Sequence, residues 1–113
     1  MMVSKGEIWL ANLNPAKKNN EVGKVRPVLV VQTDELNHSV YPTTIILPLS
    51  TSLVDDTEPL RMRVTKREKL QKDSDILIAQ IRAIDNSRFV EKLAALTAKE
   101  MKRVKLLFDE VTE

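Results

Sequence analysis

Two uninterrupted apolar runs, RPVLVVQ at 26–32 and TTIILPLS at 43–50, limit what this chain can become. Neither alternates apolar with polar residues, so a strand built from either has to be covered on both faces. The two runs therefore predict the centre of a sheet. With 113 residues there is room for one domain and one modest core, so the remaining segments must wrap around these strands. Trp9, Tyr41, Phe89 and Phe108 are the only aromatics, which leaves branched aliphatics to fill that core.

The flanking segments read as follows. GEIWLANL at 6–13 predicts a strand closed by Asn14-Pro15, because proline cannot donate to a ladder. From Pro15 to Lys24 the chain is polar, without an apolar period, and reads as a long loop. TDELNHSVYP at 33–42 is a connection with room for one helical turn, and TSLVDDTEP at 51–59 is a second long loop. LRMRV at 60–64 alternates, which sets Leu60, Met62 and Val64 on a buried face and turns Arg61 and Arg63 toward solvent or a ligand. Thr65 and Glu68 have the spacing of a capping box and predict a short helix through Leu70. DILIAQIRAI at 75–84 predicts a strand, with Arg88 to Leu93 as its partner after a turn at Asp85-Asn86. Thr97 and Glu100 repeat the capping-box spacing, and Met101, Val104, Leu107, Phe108 and Val111 fall on one stripe of the helix that follows. The sum is a mainly β, α+β single domain over residues 1–113, a bent antiparallel sheet with an amphipathic helix at its C-terminal end.

Several chemistries are excluded. The absence of cysteine removes disulfides, thiolate nucleophiles and cysteine-ligated zinc, and fits a reducing cytosol. The N-terminus lacks the apolar run of a signal peptide, and no stretch approaches the roughly 18 apolar residues of a membrane span, so a cytoplasmic protein with no membrane partner is expected. A single histidine, His38, rules out cleavage by an imidazole pair, and its loop position reads as solvated. Asp34, Glu35, Asp55, Asp56, Asp73 and Asp75 read as loop residues without metal-ligand spacing, and two glycines can hardly build a phosphate-cradling loop, so neither metal nor cofactor is expected. Formal charge is only +2, but Lys17, Lys18, Lys24 and Arg26 crowd the first third, while Asp109, Glu110 and Glu113 end the chain. A local basic surface is one reading of that distribution, and ordinary solvated lysines are the other.

What remains is polar chemistry where strands meet loops. Arg26 opens a buried strand just before Pro27, where a guanidinium can take a phosphate bidentately. Ser50, Thr51 and Ser52 close the next strand and offer hydroxyl donors; a plain turn is the competing reading of those three.

GEIWLANLNP, NEVGKVRPVLVVQ, IILPLSTS and AQIRAIDNSR, in this order, resemble the MazF/PemK family of toxin endoribonucleases over nearly the whole chain. The resemblance implies an SH3-like barrel of MazF/PemK/CcdB type with a C-terminal helix, assembled as a two-fold homodimer. It implies sequence-specific cleavage of single-stranded RNA, mostly messenger RNA, to 2′,3′-cyclic phosphate and 5′-hydroxyl ends, and neutralisation by an antitoxin whose disordered acidic tail covers the RNA groove. By position, the family's arginine falls on Arg26, its strand-end hydroxyl on Ser50 with Thr51 able to share the role, its loop glutamate on Glu21 and its motif glutamine on Gln80. Asn19, Asn20, Lys24 and Arg82 are added as RNA-binding candidates. Two departures stand out: Ala79 where many relatives carry an acidic residue, and Ala83 where a threonine is common. The rival readings are a gyrase-binding toxin of the same fold, CcdB-like, and a degenerate member that binds RNA or antitoxin without cutting.

Overall fold

In the computed structural model, which describes residues 2–13 and 25–113, the chain forms seven strands and two helices. The strands are β1 (Glu7–Asn12), β2 (Val25–Val30), β3 (Thr43–Ser50), β4 (Arg61–Val64), β5 (Ser74–Leu77), β6 (Arg82–Asp85) and β7 (Phe89–Ala95). The helices are α1 (Asp34–Asn37), a single turn in the 33–42 connection, and α2 (Ala98–Thr112). All pairings are antiparallel, in the order β4-β5-β3-β2-β1-β7, with β6 also paired to β3. The sheet is open, not the closed barrel expected: its path ends at β4 on one side and β7 on the other, and those two strands share no ladder. A backbone bond from Lys69 N–H to the Leu93 carbonyl, 2.9 Å, spans the gap.

The two apolar runs do occupy the centre, and each face of them feeds a separate core. On one face Ile8, Leu29, Leu47, Leu49, Met62, Val64, Ile76 and Ile78 pack beneath α2, whose Val104 and Leu107 are buried and whose Met101, Phe108 and Val111 flank them. On the other, Trp9, Ala11, Val28, Val30, Ile46, Ile84 and Phe89 form a second cluster, with the Trp9 and Phe89 rings edge-on at 5.8 Å. The capping box at Thr97 and Glu100 is complete, each side chain accepting the other's backbone N–H. Gly6 closes the layers together: its N–H donates to the Val30 carbonyl and its carbonyl accepts from Leu96, a link made with φ of +92°, which disfavours any residue with a Cβ.

Four sequence expectations change. The segment 65–70 is not a helix; Arg67 and Leu70 form an isolated bridge around Glu68, whose φ is +51°. The capping-box spacing there loses to two tertiary demands, since Leu70 enters the core and Arg67 reaches Glu100 of α2 at 2.6 and 2.9 Å. The 75–84 strand is broken by a 3-10 turn at Ile78–Gln80, because β5 pairs with the Leu49–Ser50 end of β3 and β6 with its Thr43–Ile46 half. The strand at 89–95 forms, but beside β1 and not beside 75–84. Leu60 lies outside β4 and is 54% exposed, whereas Met62 and Val64 are buried as expected. No helix of the described residues is long and apolar enough to cross a membrane.

Candidate active site where β2 and β3 meet

The sheet register brings the sequence's two leading candidates together. Val28 pairs with Pro48. Carrying that register two residues further sets Arg26 across from Ser50, both on the face of the Trp9–Phe89 core because side chains alternate along a strand. Ala11 stands across from Arg26 on its other side, and Asp75 across from Ser50 on β5, itself opposite Arg63 of β4. One transverse row therefore reads Arg63, Asp75, Ser50, Arg26, Ala11. Proline at 27 fixes the backbone where β2 begins, so the Arg26 side chain leaves from a set direction.

Arg26 is exposed and, among the described residues, no carboxylate pairs with it. Among the described residues its charge is therefore left for a ligand, and a guanidinium binds phosphate strongly. Ser50 is half-buried, and its Oγ accepts the Ser52 backbone N–H at 3.0 Å. With one lone pair held, the hydroxyl proton is free to donate outward. Thr51 is exposed and faces the other way, lining a cavity of about 550 Å³ with Leu10, Pro27 and Lys72. It does not join the row.

Arg82 pairs with Ile46, so it shares the Ser50 face and stands four residues back along β3, about 13 Å at the usual strand rise. Gln80 ends the 3-10 turn before β6, and both residues are exposed. Asn19, Asn20, Glu21 and Lys24 lie outside the described residues, as does the 15–24 loop that carries them. Ala79 and Ala83 are exposed positions that offer no proton acceptor. His38 is likewise exposed, its Nε2 2.9 Å from the Ser4 hydroxyl.

Sequence reasoning missed the carboxylate beside Ser50. Asp75, which the sequence offers both as the head of the 75–84 strand and as a loop carboxylate, lies in β5 and is 1% exposed. Its Oδ1 accepts from Arg63 Nε at 2.6 Å, and its Oδ2 from Arg61 Nη1 at 3.1 Å and the Val54 N–H at 2.9 Å. Burial works against its charge, but the Arg63, Val54 and Arg61 donors outweigh that, and the carboxyl sits below its ordinary range. Arg63 is exposed and Arg61 half-buried, so the face reaches solvent as expected, and both guanidinium groups also hold this anion. The available signal was the alternation of LRMRV: two arginines on one strand face require a countercharge. Among the described residues no three of His, Asp or Glu converge to hold a metal.

The profile of a family described as PemK-like, MazF-like toxin of type II toxin-antitoxin system matches residues 4–112. The chain belongs to the PemK/MazF toxin family. It is 37% identical over 110 residues to Endoribonuclease MazF of Staphylococcus saprophyticus subsp. saprophyticus, covering 96% of this chain and 89% of that protein. Among solved structures, the fold is similar to the MazE-MazF crystal structure (Form-II) from Deinococcus radiodurans, with a TM-score of 0.79 at 21% identity over 99% of this chain and 96% of that one. A mycobacterial endoribonuclease in complex with its cognate antitoxin matches with a TM-score of 0.76 at 14% identity, over 97% of this chain and 94% of that one. The PemK/MazF match spans both central strands, and so includes Arg26 and Ser50.

Proposed function

We infer that this chain is the toxin of a toxin–antitoxin pair, an endoribonuclease that cuts single-stranded RNA through Arg26 and Ser50 without a metal or other cofactor. The observation that carries the reading is the β2–β3 register, which, extended two residues past the Val28–Pro48 pair, sets the exposed Arg26 across from Ser50, whose oxygen is already anchored. Cleavage at that pair is transesterification. The ribose 2′-oxygen loses its proton and attacks the adjacent phosphorus, the bond to the 5′-oxygen breaks, and that oxygen takes up a proton. The products are a 2′,3′-cyclic phosphate and a 5′-hydroxyl. Arg26 stabilises the pentacoordinate dianion, and Ser50 donates to a non-bridging oxygen or orients the 2′-hydroxyl.

Asp75 is a poor base for the 2′-hydroxyl, because three donors hold its carboxylate. Ala79 removes the acidic residue of many relatives, which leaves Glu21 of the 15–24 loop as the nearest sequence candidate. Gln80 and Arg82 contact flanking nucleotides, and Asn19, Asn20 and Lys24 read bases splayed from the single strand, since an A-form duplex hides its sequence edges. Thr51, exposed on the other face, is a neighbour of this chemistry and not its donor. The protein works in the cytoplasm as a homodimer, neutralised by an antitoxin with an acidic tail. The gyrase-binding alternative is not favoured, because the 37%-identical relatives are endoribonucleases.

The test is cleavage of a long single-stranded RNA in EDTA by wild type, Arg26→Ala and Ser50→Ala, with the fragment ends identified. Cutting that persists in EDTA, leaves cyclic phosphates and falls about 10² to 10³-fold in either variant supports the reading. A wild type that cuts no RNA, or an Arg26→Ala variant at full rate, overturns it.

A further inference from the structure

The row that holds Arg26 and Ser50 continues into a charged cluster that the cleavage chemistry does not use. Asp75 is buried across from Ser50, clamped between Arg61 and Arg63. Such a cluster is an inefficient way to stabilise a fold, since desolvating the ions offsets most of their attraction and apolar packing of the same volume does as well. Its geometry suggests a different use.

Three contacts of the cluster end on the chain segment leaving Ser50. The Val54 N–H donates to Asp75 Oδ2, four residues past Ser50. Arg61 Nη1 bridges the same Oδ2 and the Ser52 carbonyl, the latter at 2.9 Å. Arg63 ties Asp75 to Asp55 at 2.9 Å. The Ser52 residue is thereby held at both ends of its backbone: its carbonyl is fixed by Arg61, and its N–H is the donor that anchors Ser50 Oγ. A loop of Ser, Thr, Asp and Leu would otherwise leave that donor loose.

We propose that Asp75 is a positioning residue, which through Arg61 and Val54 holds Ser52 so that its N–H orients the Ser50 hydroxyl toward the scissile phosphate. The inference rests on the reading of Ser50 as part of the reaction centre. Asp75 touches no substrate; its effect passes through Ser50 and through nothing else in the site.

A double-mutant cycle in RNA cleavage tests this, with wild type, Asp75→Asn, Ser50→Ala and the double variant compared in kcat and KM. Loss of positioning by about an ångström costs up to about 10²-fold. Asp75→Asn should therefore lower kcat about 10- to 100-fold and leave KM within about threefold, and the double variant should be no slower than Ser50→Ala alone, because both changes remove one interaction. An Asp75→Asn variant at wild-type kcat overturns the inference, as does a double variant in which the two losses multiply. Where Asp75→Asn does not fold by circular dichroism, Arg61→Met takes its place in the cycle: it keeps the Asp75–Arg63 pair, removes the bridge to Ser52, and is judged by the same two outcomes. A wild type that cuts no RNA overturns the functional reading and this inference with it, whereas an active wild type that is slowed by Ser50→Ala but not by Asp75→Asn overturns the inference alone.

Discussion

Replacing Glu100 by Gln should make stability lose a measurable part of its pH dependence. Glu100 does two things in α2. It completes the capping box, accepting the Thr97 N–H at 2.9 Å, and it takes both Nη atoms of Arg67 at 2.6 and 2.9 Å. Gln keeps the cap and gives up the ion pair. The Arg67 guanidinium is the main cause that lowers the Glu100 carboxyl from an ordinary 4.5 to about 2. At about 1.4 kcal/mol per pH unit, that corresponds to about 3 kcal/mol for a fully sheltered pair. Glu100 is 27% exposed, and solvent screening brings the expected contribution to about 1.5 kcal/mol. A carboxyl whose folded value is depressed stabilises above its unfolded value and loses that contribution as pH falls through the folded one. Wild type should thus exceed Glu100→Gln by about 1.5 kcal/mol at pH 7, a difference that shrinks from about pH 4.5 and is gone near pH 2. Urea unfolding at pH 7, 4 and 2.5 reads it directly, and the pH 7 melting point should drop by about 6 °C. A difference of the same size at every pH would refute the reasoning, because the lost interaction would then not be ionic.

Leu29→Ala, a fully buried residue of the core beneath α2, should cost about 3 kcal/mol in denaturant unfolding, and a cost under 1 kcal/mol would contradict the packing described. Gln32→Leu should cost about 2 kcal/mol, since it strips the Ile45 N–H, the Thr43 carbonyl and Asn37 of partners in a buried setting, and protected Ile45 exchange in the variant would argue otherwise. Arg82→Ala should weaken binding of a non-cleavable single-stranded RNA and lower the slope of log K against log salt by about 0.7, the value for one phosphate contact on a single strand; an unchanged slope removes Arg82 from the RNA path.

What could be read in the sequence was whatever the hydrophobic pattern decides locally. The central position of β2 and β3, and the stripe and cap of α2, follow from residues within each segment. The 65–70 turn could not be read this way, because Thr65 and Glu68 satisfy a local rule that a distant partner, Glu100 of α2, overrides through Arg67. The break at Ile78–Gln80 was equally hidden: DILIAQIRAI is continuous as a pattern, and only the bend of β3 between β5 and β6 divides it. At the site, Arg26 and Ser50 were visible as strand-end residues, and their family resemblance fixed on the same pair. Asp75 was not, since a carboxylate reads as exposed until the arginines that bury it are brought beside it by the β4–β5 register.

The placement of Ser50 on β3 has a consequence for how the protein breathes. β3 is bonded to β2 along its middle, to β6 along its first half and to β5 at its far end, so three neighbours grip one strand. Each of its paired amides meets solvent only when the ladder it donates to parts, and with neighbours on both edges the strand should be among the slower segments to exchange. The backbone of Ser50, at the tip of such a strand, is held in register by its pairing with Asp75 of β5. Substitutions in the loop beyond β3 therefore leave the backbone position of Ser50 in place, while the direction of its hydroxyl still depends on the Ser52 N–H.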